Sequence, residues 1–177
     1  MTDAVVVRPA TLADIPAIAA IYDEAVLLGT ASFELDPPGE AEMRLRMRTL
    51  LDGGFPYLVA MKGNVLAGYA YAGPYRLRPA YRFAVEDSIY VAPDMYRGGV
   101  GTALLAALIA ASEQRGYRQM LAVIGDSANA GSIALHARAG FYPVGAFRDV
   151  GYKFGRWLDS VMMQRPLGEG ANTAPNG

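Results

Sequence analysis

The sequence predicts a single α/β domain built on a mixed central β-sheet flanked by α-helices. Three observations carry this reading. Short β-branched and aromatic runs alternate with segments of helical periodicity along 177 residues, a length suited to one ordinary domain. The runs 57–61 and 65–71 are separated only by Lys62-Gly63-Asn64, so they form an antiparallel hairpin and the sheet cannot be wholly parallel. A glycine-rich turn, Gly98-Gly99-Val100-Gly101, joins a strand to a helix.

The elements follow in order. Val5-Val6-Val7 is a first strand. Thr11 and Asp14 offer N-cap chemistry, and Pro16 favours Asp14 as the cap, because proline is tolerated only in the first turn. Ile15, Ile18, Ala19, Tyr22, Ala25 and Val26 then mark a helix that Gly29 can close. Residues 33–38 read as an extended loop. A second helix places Met43, Met47, Leu50 and Leu51 on one face and Arg44, Arg46 and Arg48 towards solvent, and Gly53-Gly54 ends it. After the hairpin, 73–79 is a loop rich in arginine and tyrosine, and 83–91 is a long strand ended by Pro93. The glycine turn opens a helix carrying Leu104, Leu105, Leu108 and Ile109. A strand at 119–124, a helix at 129–139, an extended segment at 141–147 and a short final strand at 160–164 complete the domain, 1–167. The tail 168–177 has no hydrophobic anchor and is expected to be disordered.

Composition narrows the function classes. The hydrophobic fraction is 53% and the net charge −1, with no long basic run, so a nucleic-acid footprint is not expected. The absence of cysteine excludes disulfides, thiolate metal sites and a cysteine nucleophile. Residues 1–4 lack a basic region followed by an apolar stretch, and no apolar run approaches the roughly 18 residues of a membrane span. A soluble, cytoplasmic protein is the expectation.

The glycine turn is the first motif with chemistry in it. Glycines let the backbone turn sharply and bring its N–H groups close to a ligand, and the helix N-terminus adds partial positive charge. With Arg97 beside them, Gly98, Gly99, Val100, Gly101 and Thr102 suit a phosphate or pyrophosphate. An ordinary glycine-rich connection is the competing reading. Two other phosphate motifs fail: no lysine follows Gly101 as a P-loop requires, and Leu104 stands where the dinucleotide fingerprint needs glycine or alanine.

The strand Ser88-Ile89-Tyr90-Val91 followed by Arg97-Gly98-Gly99-Val100-Gly101 resembles the acetyl-CoA motif of the GNAT superfamily of N-acetyltransferases. Three further segments resemble the phosphinothricin and methionine sulfoximine acetyltransferase family: Tyr75-Arg76-Leu77-Arg78-Pro79-Ala80-Tyr81-Arg82, Val85-Glu86-Asp87-Ser88-Ile89-Tyr90-Val91, and Val150-Gly151-Tyr152-Lys153-Phe154-Gly155-Arg156-Trp157-Leu158-Asp159. The likeness runs from about residue 6 to 167. It implies a GNAT-like fold, acetyl-CoA as cosubstrate with no metal, a small amine acceptor of amino-acid type, direct transfer in a ternary complex, and a homodimer. Two positions depart from the pattern. Tyr96 stands where glutamine or arginine is usual, and Gly125-Asp126 replaces an apolar-acidic pair before Ser127.

Roles follow for individual residues. Glu86, among apolar neighbours that raise a carboxylate's pKa, is the candidate general base; a strand glutamate facing solvent or paired with Arg82 is the plainer alternative. Asp87 falls on the opposite face by strand alternation unless a bulge intervenes, and the resemblance implies a bulge there. Ile89, Tyr90 and Val91 supply a strand edge for the pantetheine arm, with a backbone N–H to polarise the thioester carbonyl. His136, the only histidine, lies in a segment from Asn129 through Ser132 that resembles the second cofactor motif. It is a candidate acid for the departing thiolate, or only a cofactor contact or a structural residue. Arg76, Arg78 and Arg82 can fork onto an anionic acceptor or be solvated surface charge. The resemblance implies that Phe33 and Glu34 lie in a loop lining the acceptor pocket, and with Leu77, Glu86, Asp87, Ser88 and the arginines they make up the candidate acceptor site. Lys153 to Trp157 resembles a loop that approaches the acceptor, that of either subunit. Alternatives are acetylation of a protein N-terminus or an aminoglycoside, a CoA-binding sensor without catalysis, and a nucleotide-binding module.

Overall fold

The computed structural model describes residues 4–175 and forms one seven-stranded mixed sheet between two helical layers. The strands are β1 (Val5–Pro9), β2 (Tyr57–Lys62), β3 (Val65–Pro74), β4 (Ala84–Val91), β5 (Gln119–Gly125), β6 (Tyr142–Lys153) and β7 (Arg156–Pro166). Their order is β1-β2-β3-β4-β5-β7-β6. Only the β4–β5 pair is parallel, as the hairpin at Gly63-Asn64 led one to expect of a mixed sheet.

Strand alternation feeds two cores. Tyr57 and Val59 of β2 and Tyr69 of β3 face α1 (Ile15–Leu28) and α2 (Gly39–Asp52), where Ile15, Ile18, Val26, Met43 and Met47 are buried. Leu58, Ala60, Ala70 and Ala72 face the other way, onto α3 (Val100–Gln114). There Leu104, Leu105 and Leu108 are fully buried, each worth about 1.5–3 kcal/mol. The small residues on this face let α3 lie close to the sheet: a Cβ at Gly68 would come within 3.1 Å of Val100 and 3.2 Å of Leu104. The short α4 (Ala130–Arg138) follows β5.

Asp14 caps α1, with Pro16 in the first turn, but its carboxylate turns back to Arg8 (2.7 and 2.9 Å) and to the Thr11 N–H (2.8 Å). A short 3₁₀ turn therefore precedes the helix.

Four expectations change. Leu51 is exposed, because the face of α2 that meets the sheet stops at Leu50. No bulge interrupts β4 at Asp87, since its register against β3 is unbroken from Val85 to Val91. The last two strands are far longer than 141–147 and 160–164; they form one hairpin closed by Phe154-Gly155, with a register shift between Phe147 and Gly151. Residues 168–175 of the tail lie in successive turns, held where Arg118 reaches the Gly170 carbonyl and the Thr173 hydroxyl. Residues 1–3, part of the segment read for a leader, and 176–177 lie outside the described residues.

The Arg8 guanidinium holds the Asp14 carboxyl down to about 2 from an ordinary value of 3.8, with the Thr11 bonds adding to it. A lowered folded value stabilises the protein above the ordinary aspartate range, and the stabilisation is lost as pH falls through about 2. Arg8 is partly solvated, which screens the pair. Asp14→Ala is expected to cost about 1 kcal/mol at pH 7. Denaturant melts of both proteins should converge as the pH is lowered towards 2.

Candidate active site

The site begins where a parallel strand pair ends early. β4 and β5 are in register only from Ala84↔Gln119 to Asp87↔Ala122, although both strands continue. Beyond Asp87 they part, and the β5-facing edge of Ser88 to Val91 has no strand partner. Two cavities open along this divergence and share Ala31, Ile89, Tyr90, Asn129 and Ser132.

The larger, about 570 Å³, runs from Ile89-Tyr90-Val91 to the start of α3 and along one side of α4. Its far end is the glycine turn. Arg97 and Gly99 both adopt left-handed backbone (φ 62° and 81°), and Gly99 caps α3. The first N–H groups of the helix, through Thr102, then have no intrahelical acceptor and face the cavity. Such donors, with Arg97 and Arg138 as flanking cations, can hold a diphosphate. Gly98 is in the turn but does not line the cavity; its N–H bonds the Met95 carbonyl. Tyr96 is largely exposed at the rim. Asn129 caps α4 by accepting from the Ser132 N–H.

The smaller cavity, about 420 Å³, lies between β4, β5 and the segment after α1. Phe33, Glu34, Glu86, Asp87 and Ser88 all line it. Glu34 is fixed by Arg46 from α2 and by the Tyr22 hydroxyl from α1 (2.8 Å). The Ser32 hydroxyl donates to the Tyr22 oxygen (2.9 Å) and accepts the Glu34 N–H (3.1 Å). Burial pushes the Glu34 carboxyl up, but Arg46 and Tyr22 outweigh it and hold it low, so Glu34 is a fixed anion.

Glu86 behaves differently. Burial raises its pKa first, the neighbouring Asp87 charge adds to the rise, and Arg76 opposes it. A half-buried carboxylate with a raised pKa at a cavity is suited to accept a proton.

Asp87 and His136 form a buried pair, Oδ2 to Nε2 2.9 Å, with the ring edge-on to Phe141. The other nitrogen, Nδ1, lies 2.8 Å from the Ser132 carbonyl, which can only accept. Both ring nitrogens therefore face acceptors, and the imidazolium, donating to each, satisfies them together. Burial disfavours that cation, yet the bond and charge of Asp87 and the Ser132 carbonyl prevail, so the His136 pKa is raised. The second Asp87 oxygen, Oδ1, is buried without a partner.

Four residues expected at the acceptor stand apart. Arg76, Leu77, Arg78 and Arg82 lie on the exposed loop after β3 and line neither cavity. Arg76 stacks on Tyr75 and Arg82 on Phe83. The loop nevertheless leaves β3 beside Glu86, at Gly73↔Glu86, close enough for Arg76 to act on that carboxylate. Polar lining residues not anticipated at the site include Tyr22, Ser32 and Ser160. Tyr22 was legible only as one position in an apolar stripe. Among the described residues, no group of three or more histidine, aspartate or glutamate side chains could hold a metal ion, and no helix is long and apolar enough to cross a membrane.

Comparison with known proteins agrees with this geometry. The model of the acetyltransferase (GNAT) family matches residues 18–141. The chain is 54% identical to a phosphinothricin N-acetyltransferase of Alcaligenes faecalis over 92% of its length and 82% of the relative's. It is 43% identical to an L-methionine sulfoximine/L-methionine sulfone acetyltransferase of Pseudomonas aeruginosa, over 91% of this chain and 94% of the other. A crystal structure of a phosphinothricin acetyltransferase from Sinorhizobium meliloti in complex with AcCoA superposes with a TM-score of 0.95. It shares 48% identity and covers 99% of this chain and 94% of that one.

The Asp87–His136 pair gives a direct test. One histidine means one imidazole resonance to follow by NMR. Its pKa should lie above 6.5 in the wild type and fall in Asp87→Asn. A raised folded value means that the pair's stabilisation is complete below about 6.5 and fades as pH rises through the folded value. The stability gap between wild type and Asp87→Asn should narrow over that rise.

Proposed function

Since the chain belongs to the acetyltransferase (GNAT) family and is an N-acetyltransferase, we propose that it moves the acetyl group of acetyl-CoA directly onto the α-amine of a small amino-acid analogue of the phosphinothricin or methionine sulfoximine type. The observation that carries this reading is the position of Glu86: a carboxylate with a raised pKa lining the acceptor cavity, next to the point where that cavity meets the diphosphate-binding one.

Acetyl-CoA supplies an activated acetyl thioester; the chain supplies the rest. The α3 N-terminus and Arg97 hold the diphosphate, which fixes how far the pantetheine arm reaches along Ile89 to Val91. The unpaired edge of β4 aligns that arm and offers N–H groups to the thioester carbonyl. Glu86 takes a proton from the acceptor ammonium, leaving a neutral amine able to attack. As the C–N bond forms and the C–S bond breaks, His136, held as a cation by Asp87, gives its proton to the leaving sulfur, and the second proton shed by the acceptor nitrogen restores the imidazolium. The cavity is lined by the carboxylates Glu34, Glu86 and Asp87 and by no arginine. An anionic acceptor must draw its countercharge from the adjoining loop, which gives Arg76, Arg78 and Arg82 their role. A CoA sensor without catalysis would have no use for a proton acceptor at Glu86. A CoA thioester as cosubstrate and the absence of cysteine favour the cytoplasm.

A homodimer is part of the same reading. β6 is a sheet edge 12 residues long, and Tyr142, Val144, Phe147, Val150 and Tyr152 on it are exposed, as is Trp157 opposite. A long apolar edge of this kind invites a second copy, whose identical strand meets it about a two-fold axis. Sedimentation at micromolar concentration should give twice the chain mass, and Phe147→Lys with Val150→Lys should give the monomer. A wild-type monomer would count against the dimer.

The function is tested by thiol release over phosphinothricin, methionine sulfoximine, methionine sulfone and the decarboxylated sulfoximine. The carboxylated acceptors should react with kcat/KM about ten- to a hundredfold above the decarboxylated one, and Arg76→Ala or Arg78→Ala should erase most of that margin. Glu86→Gln should keep acetyl-CoA affinity and lose roughly 10²–10⁴-fold in kcat. Its loss should also remove the acidic limb of the pH profile, since a base with a raised pKa loses activity as pH falls through that value. Near-normal turnover by Glu86→Gln would take it out of the mechanism.

A further inference from the structure

One wall of the acceptor cavity is not a secondary-structure element. It is the segment between α1 and α2, residues 29–36, whose Ala31, Ser32, Phe33 and Glu34 line the cavity. A loop has no ladder to hold its backbone, so something else must fix it.

On one side it is tied to the helices through Tyr22 and Arg46. On the other it is tied to the β6–β7 hairpin, and only at a few points. The ammonium of Lys153, at the end of β6, donates to the Ser32 carbonyl at 2.9 Å, and the lysine is buried with 4% of its surface exposed. The Phe33 ring rests directly on Gly151: a Cβ there would come within 2.5 Å of it. Gly125 of β5 is the second half of this seat, where a Cβ would come within 2.9 Å of the ring and 2.1 Å of the Thr30 carbonyl. The register shift between Phe147 and Gly151 brings Gly151 rather than a side chain under the ring.

A buried lysine is costly unless its charge is used. The mechanism makes no use of Lys153, which does not line either cavity. Its one described hydrogen bond goes to the loop, and Glu34 on the same loop is the opposing charge that acts on it.

We propose that Lys153 is a positioning residue for the acceptor. By fixing the Ser32 carbonyl it holds Phe33 on the Gly125–Gly151 seat, and so sets the shape of this cavity wall. Acceptor affinity is thereby written partly in the far hairpin, 121 residues away in sequence. The statement about affinity rests on the acceptor reading above; the statement about the loop does not.

Two measurements separate these. Hydrogen exchange without substrate reads the loop, and steady-state kinetics with methionine sulfoximine reads the acceptor. In Lys153→Met, amides of 30–34 should exchange about tenfold faster while β4 and α3 stay protected. KM for the acceptor should rise about tenfold, with acetyl-CoA Kd within twofold and kcat little changed, the scale of one charge-assisted hydrogen bond. Lys153→Arg, which keeps a charged donor, should recover most of both losses. Gly151→Ala, which displaces Phe33 and leaves the lysine in place, should raise the acceptor KM alone, and it carries the test if Lys153→Met does not fold. Unchanged exchange at 30–34 would overturn the proposal, as would equal rises in acceptor KM and acetyl-CoA Kd. If the wild type acetylates none of the amines, the acceptor reading fails, and the exchange data still decide the role of Lys153 in the loop.

Discussion

The structure depends on one broken pairing. β4 and β5 hydrogen-bond over four residue pairs and then separate, while each remains paired on its other side, to β3 and to β7. Backbone groups released from a sheet inside a protein demand new partners. Here the edge of β4 that faces β5 is left free from Ser88 to Val91, where it can pair with an extended polar chain. The helices follow from the same opening. α3 starts where β4 ends, so its N-terminal N–H groups lie at one end of the slot, and α4 starts where β5 ends, bringing Asn129, Ser132 and His136 along the other wall. The two cavities thus adjoin along a gap that neither strand alone defines.

Charge around this gap is sorted by burial and by partners. Three carboxylates, Glu34, Glu86 and Asp87, and the His136 imidazole line a cavity of about 420 Å³. Arg46 and Tyr22 commit Glu34 to the charged form, while Glu86 has no such partner and is pushed towards the neutral one by burial and by Asp87. Asp87 and His136 neutralise each other through a hydrogen bond. Neighbouring carboxylates with different environments are how one site holds both a base and a fixed anion at a single pH. The tyrosines around Tyr22 back this arrangement: Tyr22, Tyr57, Tyr69, Tyr71 and Tyr90 stack ring on ring or edge on ring on the α1–α2 side of the sheet, and the Tyr22 hydroxyl reaches from this cluster to Glu34.

Much of this was legible in the residues. The order of strands and helices, the Asp14 cap, the Gly63-Asn64 hairpin and the left-handed Gly99 at the head of α3 follow from local preferences, and each is present. The final strands were read too short because Gly145, Asp149 and Gly151 interrupt alternation, and a bulged edge strand hides its length in this way. The bulge expected at Asp87 is absent because strand divergence, not an extra residue, brings Glu86, Asp87 and Ser88 together at one cavity.

By itself the sequence determined what neighbouring residues decide together. Glycine spacing sets backbone conformation, apolar period sets which face is buried, and a Val-Glu-Asp-Ser run sets carboxylates on a strand. Side-chain partnership across the chain came only with the tertiary structure. Asp87 and His136 are 49 positions apart, and Lys153 and Ser32 are 121 apart. The arginines at 76, 78 and 82 are beside the site in sequence, yet they stay on an exposed loop outside both cavities. Which side chains meet depends on where two strands part and how a distant hairpin packs, and those are set by the balance of contacts over the whole sheet rather than by any one segment.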